Sequence, residues 1–126
     1  MSKISGKNTS TEIIVRKLVH SLGFRFRLHR KNLPGKPDLV FPKYKKVIFV
    51  HGCFWHGHNN CKRSKLPKTN LKFWNDKILN NIIRDNNNIK NLYFLGWQTL
   101  VIWQCEITKK NIVKLENKII NFLNIK

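Results

Sequence analysis

The chain has 126 residues, 41% of them hydrophobic, enough for one compact domain over residues 1–126 and too few for two ordinary ones. Twenty-five Lys and Arg stand against six Asp and Glu, a formal net charge of +19, a field that suits a polyanion partner such as nucleic acid. No apolar run approaches the ~20 residues that cross a bilayer, and the N-terminal stretch MSKISGKNTSTE lacks an apolar signal core, so a cytoplasmic protein without membrane association is expected. Three cysteines, an odd count without a secretory signal, argue against a disulfide framework.

Residues 9–22 read as a first helix. Thr9 offers an N-cap, Thr9-x-x-Glu12 matches a capping box, and Ile14, Leu18 and Leu22, with Val15 and Val19 beside them, make an apolar face that Gly23 ends. Phe24-Arg25-Phe26-Arg27-Leu28 alternates with a two-residue period, as a half-buried strand with arginines on its open face does. A Pro/Gly turn over residues 33–37 leads to a short strand at 38–41, a turn at 42–45 and a third strand at 46–50, most simply a hairpin. Basic residues from 62 to 68 precede a long helix over roughly 70–95, in which Asn86-Asn87-Asn88 is a weak point for bending or breaking. Leu95-Gly96 is a helix stop, Trp97 to Trp103 a strand, and residues 108–124 an amphipathic helix with Ile112, Leu115, Ile119, Phe122 and Leu123 on its apolar side. This α-β-β-β-α-β-α order fits an α/β fold with a mixed sheet flanked by helices.

The chemistry-bearing residues gather around Val50-His51-Gly52-Cys53-Phe54-Trp55-His56-Gly57-His58, closed by Cys61. Cys53, His58 and Cys61 supply three soft or borderline ligands in one loop, and Cys105 is the natural fourth for a tetrahedral zinc site if the last strand lies beside the third. The alternative is ordinary thiols and solvated histidines. Asp38, at the very start of a strand, is aimed off the sheet edge, where a carboxylate can hold Mg²⁺ for phosphodiester cleavage. A Pro-Asp pair is also a common turn. His51 and His56 suit general acid–base work or charge neutralisation at a phosphate, or serve only as ligands or solvated neighbours. Phe54 and Trp55 cannot both enter one core from an extended segment, which makes them candidates for a wedge into a base step, or else a cap on the core. On the long helix Trp74 precedes Lys77, Asn81 and Asp85, which share one face of a groove or of solvated surface, and Glu12 is already explained by its capping box.

Leu33-Pro34-Gly35-Lys36-Pro37-Asp38-Leu39-Val40-Phe41 followed by Val47-Ile48-Phe49-Val50-His51-Gly52-Cys53-Phe54-Trp55-His56 closely resembles the very-short-patch-repair (Vsr) endonucleases. Further matches are Lys7-Asn8-Thr9 with Glu12, Phe73-Trp74 with Lys77, Asn81 and Arg84-Asp85, and Leu95-Gly96-Trp97 leading to Trp103-Gln104-Cys105. The resemblance implies a restriction-endonuclease-like fold in a single domain with a structural zinc site. It also implies a Mg²⁺-dependent enzyme that nicks one strand of double-stranded DNA at a T:G mismatch left by deamination of 5-methylcytosine.

By that resemblance Asp38 holds Mg²⁺, together with the backbone carbonyl of Val50. His51 and His56 serve the cleaved phosphate, with His56 the better base, supported by Asp85 and Glu12. Phe54, Trp55 and Trp74 form the intercalating wedge, Lys77 and Asn81 face the mismatched pair, and Cys53, His58, Cys61 and Cys105 bind zinc. The superfamily's usual acid and lysine are replaced by Val50 and Gly52, the Asn59-Asn60 spacer lengthens the zinc loop, and the arm that precedes the methionine matching Met1 in the family is missing. A monomer is expected, meeting T:G-mismatched duplex DNA and, as further partners, other repair proteins. Two alternatives stay open: a restriction-type or general nicking endonuclease on the same scaffold, and a non-catalytic zinc-containing DNA-binding module.

Overall fold

Successive side chains on a strand point to opposite faces, so a strand that is apolar at nearly every position must be covered on both sides. β2 (Leu39–Phe41) and β3 (Lys46–His51) are of this kind, with every residue of β2 and all but Val50 of β3 buried. The computed structural model describes residues 10–28, 32–58, 61 and 65–124. Around these two strands stand α1 (Ser10–Ser21), β1 (Arg27–Leu28), α2 (Leu71–Phe94), β4 (Gln98–Trp103) and α3 (Ile112–Asn124), in the expected order. The sheet runs β1-β2-β3-β4, antiparallel at its first two junctions and parallel between β3 and β4. A parallel neighbour needs a crossover, and α2 supplies it.

The two faces have separate cores. Val15 and Val19 of α1 and Leu115, Ile119 and Leu123 of α3 pack with Leu39, Phe41, Ile48 and Ile102. On the opposite face Leu92 of α2 packs with Leu33, Val40, Val47, Phe49 and Trp97. The result is a mixed sheet flanked by helices, and among the described residues no helix is long and apolar enough to cross a membrane.

Helices α1 and α2 stop in the same way. Gly23 and Gly96, both at φ +92°, let the chain turn back: the N–H of Phe24 reaches Val19 O and the N–H of Trp97 reaches Leu92 O, satisfying carbonyls that the helix end would orphan. Trp97 is then delivered directly into the second core.

Four local expectations change. The alternating stretch after Gly23 forms a ladder only at Arg27–Leu28, because its partner β2 ends at Phe41 and gives way to Pro42, which has no N–H to donate. Helix α2 runs unbroken through Asn86-Asn87-Asn88. Ile89 and Leu92 beyond them are drawn onto the core, and Asn88 lies against Gly35, where a Cβ would come within 3.0 Å of it, so packing overrides weak propensity. The buried line of α1 is Glu12, Val15 and Val19, leaving Ile14 exposed, and the Thr9 cap lies outside the described residues. The final helix begins as a 3-10 turn, Lys109–Asn111, capped by Thr108 Oγ1 accepting from the Asn111 N–H at 3.2 Å, before α3 proper.

Ile119, fully buried between α3 and the sheet, measures this packing. We expect Ile119→Ala to lower unfolding free energy by about 2–5 kcal/mol in urea titration. A loss below about 1 kcal/mol would contradict the placement of α3 over the sheet.

Candidate active site

Parallel pairing sets His51 opposite Trp103, so β3 and β4 deliver their following segments to the same sheet edge. Antiparallel β2 starts at that edge, and Asp38 stands immediately before it. The carboxylate of Asp38 crosses to β3, where Oδ2 accepts the Val50 N–H at 2.7 Å. Ligand sites in sheets of this kind favour the carboxyl ends of parallel strands.

The loop after β3 is a compact turn rather than an extended segment. The N–H groups of His56, Gly57 and His58 donate to the carbonyls of Gly52, Phe54 and Cys53 at 3.2, 3.3 and 2.9 Å. Gly57, at φ +59°, lies flat on α2: a Cβ there would fall 2.6 Å from Ile82 Cδ1 and 2.8 Å from Ile78 Cγ2. Only glycine meets both the left-handed backbone and the close approach. The same helix face carries Asn81, whose Nδ2 donates to Trp55 O at 2.9 Å, and Asp85, whose Oδ2 is 2.5 Å from His56 Nδ1. One stripe of α2 therefore fixes the height of the whole loop.

His51 and His56 stack with ring centroids 3.8 Å apart and planes 4° from parallel. His51 is buried, and its Nδ1 has no hydrogen-bond partner among the described residues. Burial and the neighbouring His56 charge press its pKa down to about 4, so this imidazole is neutral at ordinary pH. Asp85 is pushed up by burial, but its hydrogen bond to His56 and the charges of His56, His51 and Arg84 leave it below the usual carboxylate range. Asp38 goes the other way. Burial, with the Glu12 charge adding to it against the pull of Val50 N–H, His56 and Arg16, raises it to about 7. Glu12 itself is buried on α1 and paired with Arg16.

A carboxylate pushed this far up is short of positive charge, which a divalent cation supplies; the oxygen donors at this edge suit a hard ion such as Mg²⁺. His51, His56 and Asp85 also present ligand atoms within 4.8 Å of one another.

Beside this edge, Cys53, His58, Cys61 and Cys105 bring one ligand atom each to within 4.8 Å of one another. Cys105 Sγ is 3.4 Å from His58 Nδ1, and His58 stacks on Trp103 at 4.1 Å and 7°. Burial and the crowding of Cys105 and Cys61 push the Cys53 thiol up to about 12, and Cys105 is raised as well. Two thiols that resist ionising, Cys53 and Cys105, joined by Cys61 and an imidazole, form the donor set that zinc satisfies in structural sites.

The aromatic residues gather on the outer side of the loop. Phe54, Trp55 and Trp74 meet edge to face with centroids 5.2–5.8 Å apart, and Trp55 is 44% exposed. Lys77 is exposed one turn along α2 from Trp74 and one turn before Asn81.

Three supporting residues were not assigned roles from the sequence. Trp103 touches both His58 and His51, the latter edge-on at 5.2 Å. Glu106 accepts the Trp103 N–H at 2.9 Å and pairs with Lys118 at 2.7 Å, tying the segment to α3. Arg16 holds Glu12, for which an i, i+4 acid–base spacing was the available signal.

The first half of the chain, residues 1–63, matches the family model described as DNA mismatch endonuclease Vsr. The chain is 48% identical over 124 residues to the type II nicking enzyme V.XorIIP of Xanthomonas oryzae pv. oryzae, covering 98% of this chain and 89% of the relative. It is 45% identical over 114 residues to the type II nicking enzyme V.NmeAIP of Neisseria meningitidis, 90% of this chain and 81% of the relative. Identity to the DNA mismatch endonuclease Vsr of Escherichia coli is 41% over 107 residues, 85% of this chain and 68% of the relative.

The buried titrating groups set a pH dependence. With its folded pKa raised from 3.8 to about 7, Asp38 costs nothing where both states are protonated; the cost grows between those values and is constant above. His51, lowered from 6.5 to about 4, adds stability as pH rises through an overlapping window and masks the effect in wild type. The difference between Asp38→Asn and wild type without added Mg²⁺ isolates it. The variant's advantage should widen from about pH 4 to 7, at no more than about 1.4 kcal/mol per pH unit, then level off. A pH-independent difference in urea midpoints would exclude the raised carboxyl.

Proposed function

The chain belongs to the Vsr family of DNA mismatch endonucleases, and from that premise we propose that it is a Mg²⁺-dependent nickase hydrolysing one phosphodiester at a T:G mismatch in duplex DNA. The observation that carries this reading is the joining of two features by one loop. His56, backed by Asp85, directly follows the Phe54–Trp55 pair, and both are fixed on α2. Chemistry and base-pair opening are thus held in one register.

In this reading Asp38 and the Val50 carbonyl would hold Mg²⁺. That ion, when bound, polarises the scissile phosphate and lowers the pKa of water. His56 accepts the proton of the attacking water at Nε2, because Nδ1 is taken by Asp85, which fixes the tautomer and stabilises the imidazolium formed. His51, neutral and stacked beneath, orients His56 and offers a hydrogen bond to the phosphate. Glu12, restrained by Arg16, positions the water network around Asp38. Phe54, Trp55 and Trp74 enter the duplex as an apolar wedge, unstacking a step beside the target. Lys77 and Asn81 face the mismatched pair, Asn81 with its amide nitrogen already committed to the wedge backbone. Cys53, His58, Cys61 and Cys105 would hold zinc, which stiffens the loop and takes no part in hydrolysis. All of these groups come from one chain, so a monomer suffices.

A labelled duplex with one T:G pair, compared with its T:A twin in Mg²⁺ or EDTA, tests the reading. We expect a single nick in the T:G duplex with Mg²⁺ alone, reduced by about 10²–10⁴ in His56→Ala. Equal nicking of both duplexes would remove mismatch specificity, and cutting both strands of matched DNA would favour a restriction-type enzyme.

Zinc is tested separately. Protein purified without chelator should contain one zinc per chain, and Cys105→Ala should lose it along with much of its thermal stability. Structural zinc binding, on the order of 10 kcal/mol in small domains, is also folding free energy. An unaltered melting temperature in a zinc-free Cys105→Ala protein would rule out the staple.

A further inference from the structure

The end of the sheet opposite the catalytic edge is strongly basic. The turn at residues 42–45 lies where β3 begins, about 17 Å along that strand from His51. Beside it is an open trough of about 770 Å³, lined among others by His20, Phe24, Arg25, Arg27, Lys43 and Tyr44. A second hollow of about 420 Å³ shares Lys43 and Tyr44 and adds Lys45 and Lys46.

None of the chain's six acidic residues lines either hollow. Glu12, Asp38 and Asp85 are gathered at the other edge, Glu106 pairs with Lys118, Asp76 with Lys72, and Glu116 lies on α3 outside both hollows. The field over the trough is therefore uncompensated, which suits phosphate.

Geometry narrows the partner. Arg25 and Arg27 are both exposed, two residues apart, hence about 6.7 Å along an extended chain. This is close to the repeat of successive phosphates along one nucleic-acid strand. Phe24 before them and Phe26 between them are packed against the core, and Tyr44, 37% exposed, carries Lys43 Nζ at 5.7 Å from its ring. The three aromatic rings of the trough are thus engaged with one another, with Phe41 or with Lys43, rather than offered as the row of open faces on which unpaired bases stack.

We propose that this trough binds a second segment of duplex DNA through its phosphates, without regard to sequence, while the catalytic edge engages the first. The nicking reading enters only through the first segment. A chain holding two segments can pass from one to the other without release, adding transfer between segments to sliding along one.

The test places protein on an immobilised short T:G duplex and offers a fluorescent matched duplex over a salt series. Two variants remove equal charge in different places: Arg25→Gln with Arg27→Gln and Lys43→Gln in the trough, and Lys109→Gln with Lys110→Gln and Lys114→Gln at exposed positions leading into and on α3. Wild type and the α3 variant should capture the second duplex. The trough variant should lose most of that capture, and the slope of log affinity against log salt should flatten by about 3. The charge-keeping variant Arg25→Lys with Arg27→Lys should retain it.

Equal loss in the trough and α3 variants, or undiminished capture by the trough variant, overturns the proposal. Nicking of the T:G duplex is read in parallel. Lost capture specificity with nicking intact sinks this proposal alone, whereas absent nicking with the expected capture pattern sinks only the assignment of the catalytic edge.

Discussion

The parallel pairing of β3 with β4 is the constraint on which everything else rests. It sets His51 beside Trp103 and so brings two segments half the chain apart, 52–58 and 104–106, to one edge. Without that register Cys105 has no route to Cys53 and His58, and Trp103 cannot lie under the imidazoles. The crossover that parallel pairing requires is itself put to use. α2 buries Leu92 on the sheet and, nearer its start, offers Ile78, Asn81, Ile82 and Asp85 as the floor of the loop. One helix thereby serves both packing and site geometry.

Much of this was legible from residue types. Clustered Cys and His are rare enough in a chain with three cysteines that Cys53, His58, Cys61 and Cys105 stand out as a candidate ligand set once β4 is set beside β3. Asp38 stood out because it begins a strand in a chain almost without acids, and the 77–81–85 line because helical spacing is rigid. What stayed hidden depends on tertiary choices that short-range pattern does not contain. Glu12 had a sufficient local explanation in its capping box, yet burial and Arg16 give it a different setting. Asn86-Asn87-Asn88 is poor helix by propensity, and only contact with Gly35 and the pull of Ile89 and Leu92 keep α2 straight through it. Asn81 is legible as part of a helical line shared with Lys77 and Asp85, but its hold on the Trp55 carbonyl depends on how the loop folds. Gly57 mattered because the loop turns rather than extends.

Electrostatically the molecule is two-ended. Three of its six carboxylates, Glu12, Asp38 and Asp85, are gathered where a cation would be held, and elsewhere Lys and Arg far outnumber Asp76, Glu106 and Glu116. Six acids against twenty-five bases is therefore not a uniform positive coat. The contrast between a locally acidic edge and a basic remainder lets one protein attract DNA over a distance and still keep, at one edge, oxygen donors of the kind a hard cation takes.

The candidate ligand set of Cys53, His58, Cys61 and Cys105 has a bearing on how the chain is made. Ribosomes release the first three of these ligands, and the whole of Asp38, His51 and His56, well before β4 and α3 emerge. Until then the sheet lacks its fourth strand, one core lacks Leu115, Ile119 and Leu123, and His58 lacks Trp103 to rest on. A half-translated chain is thus strongly cationic while the edge that gathers Asp38, His51 and His56 still lacks its neighbouring strand, so the charge arrives before the finished site.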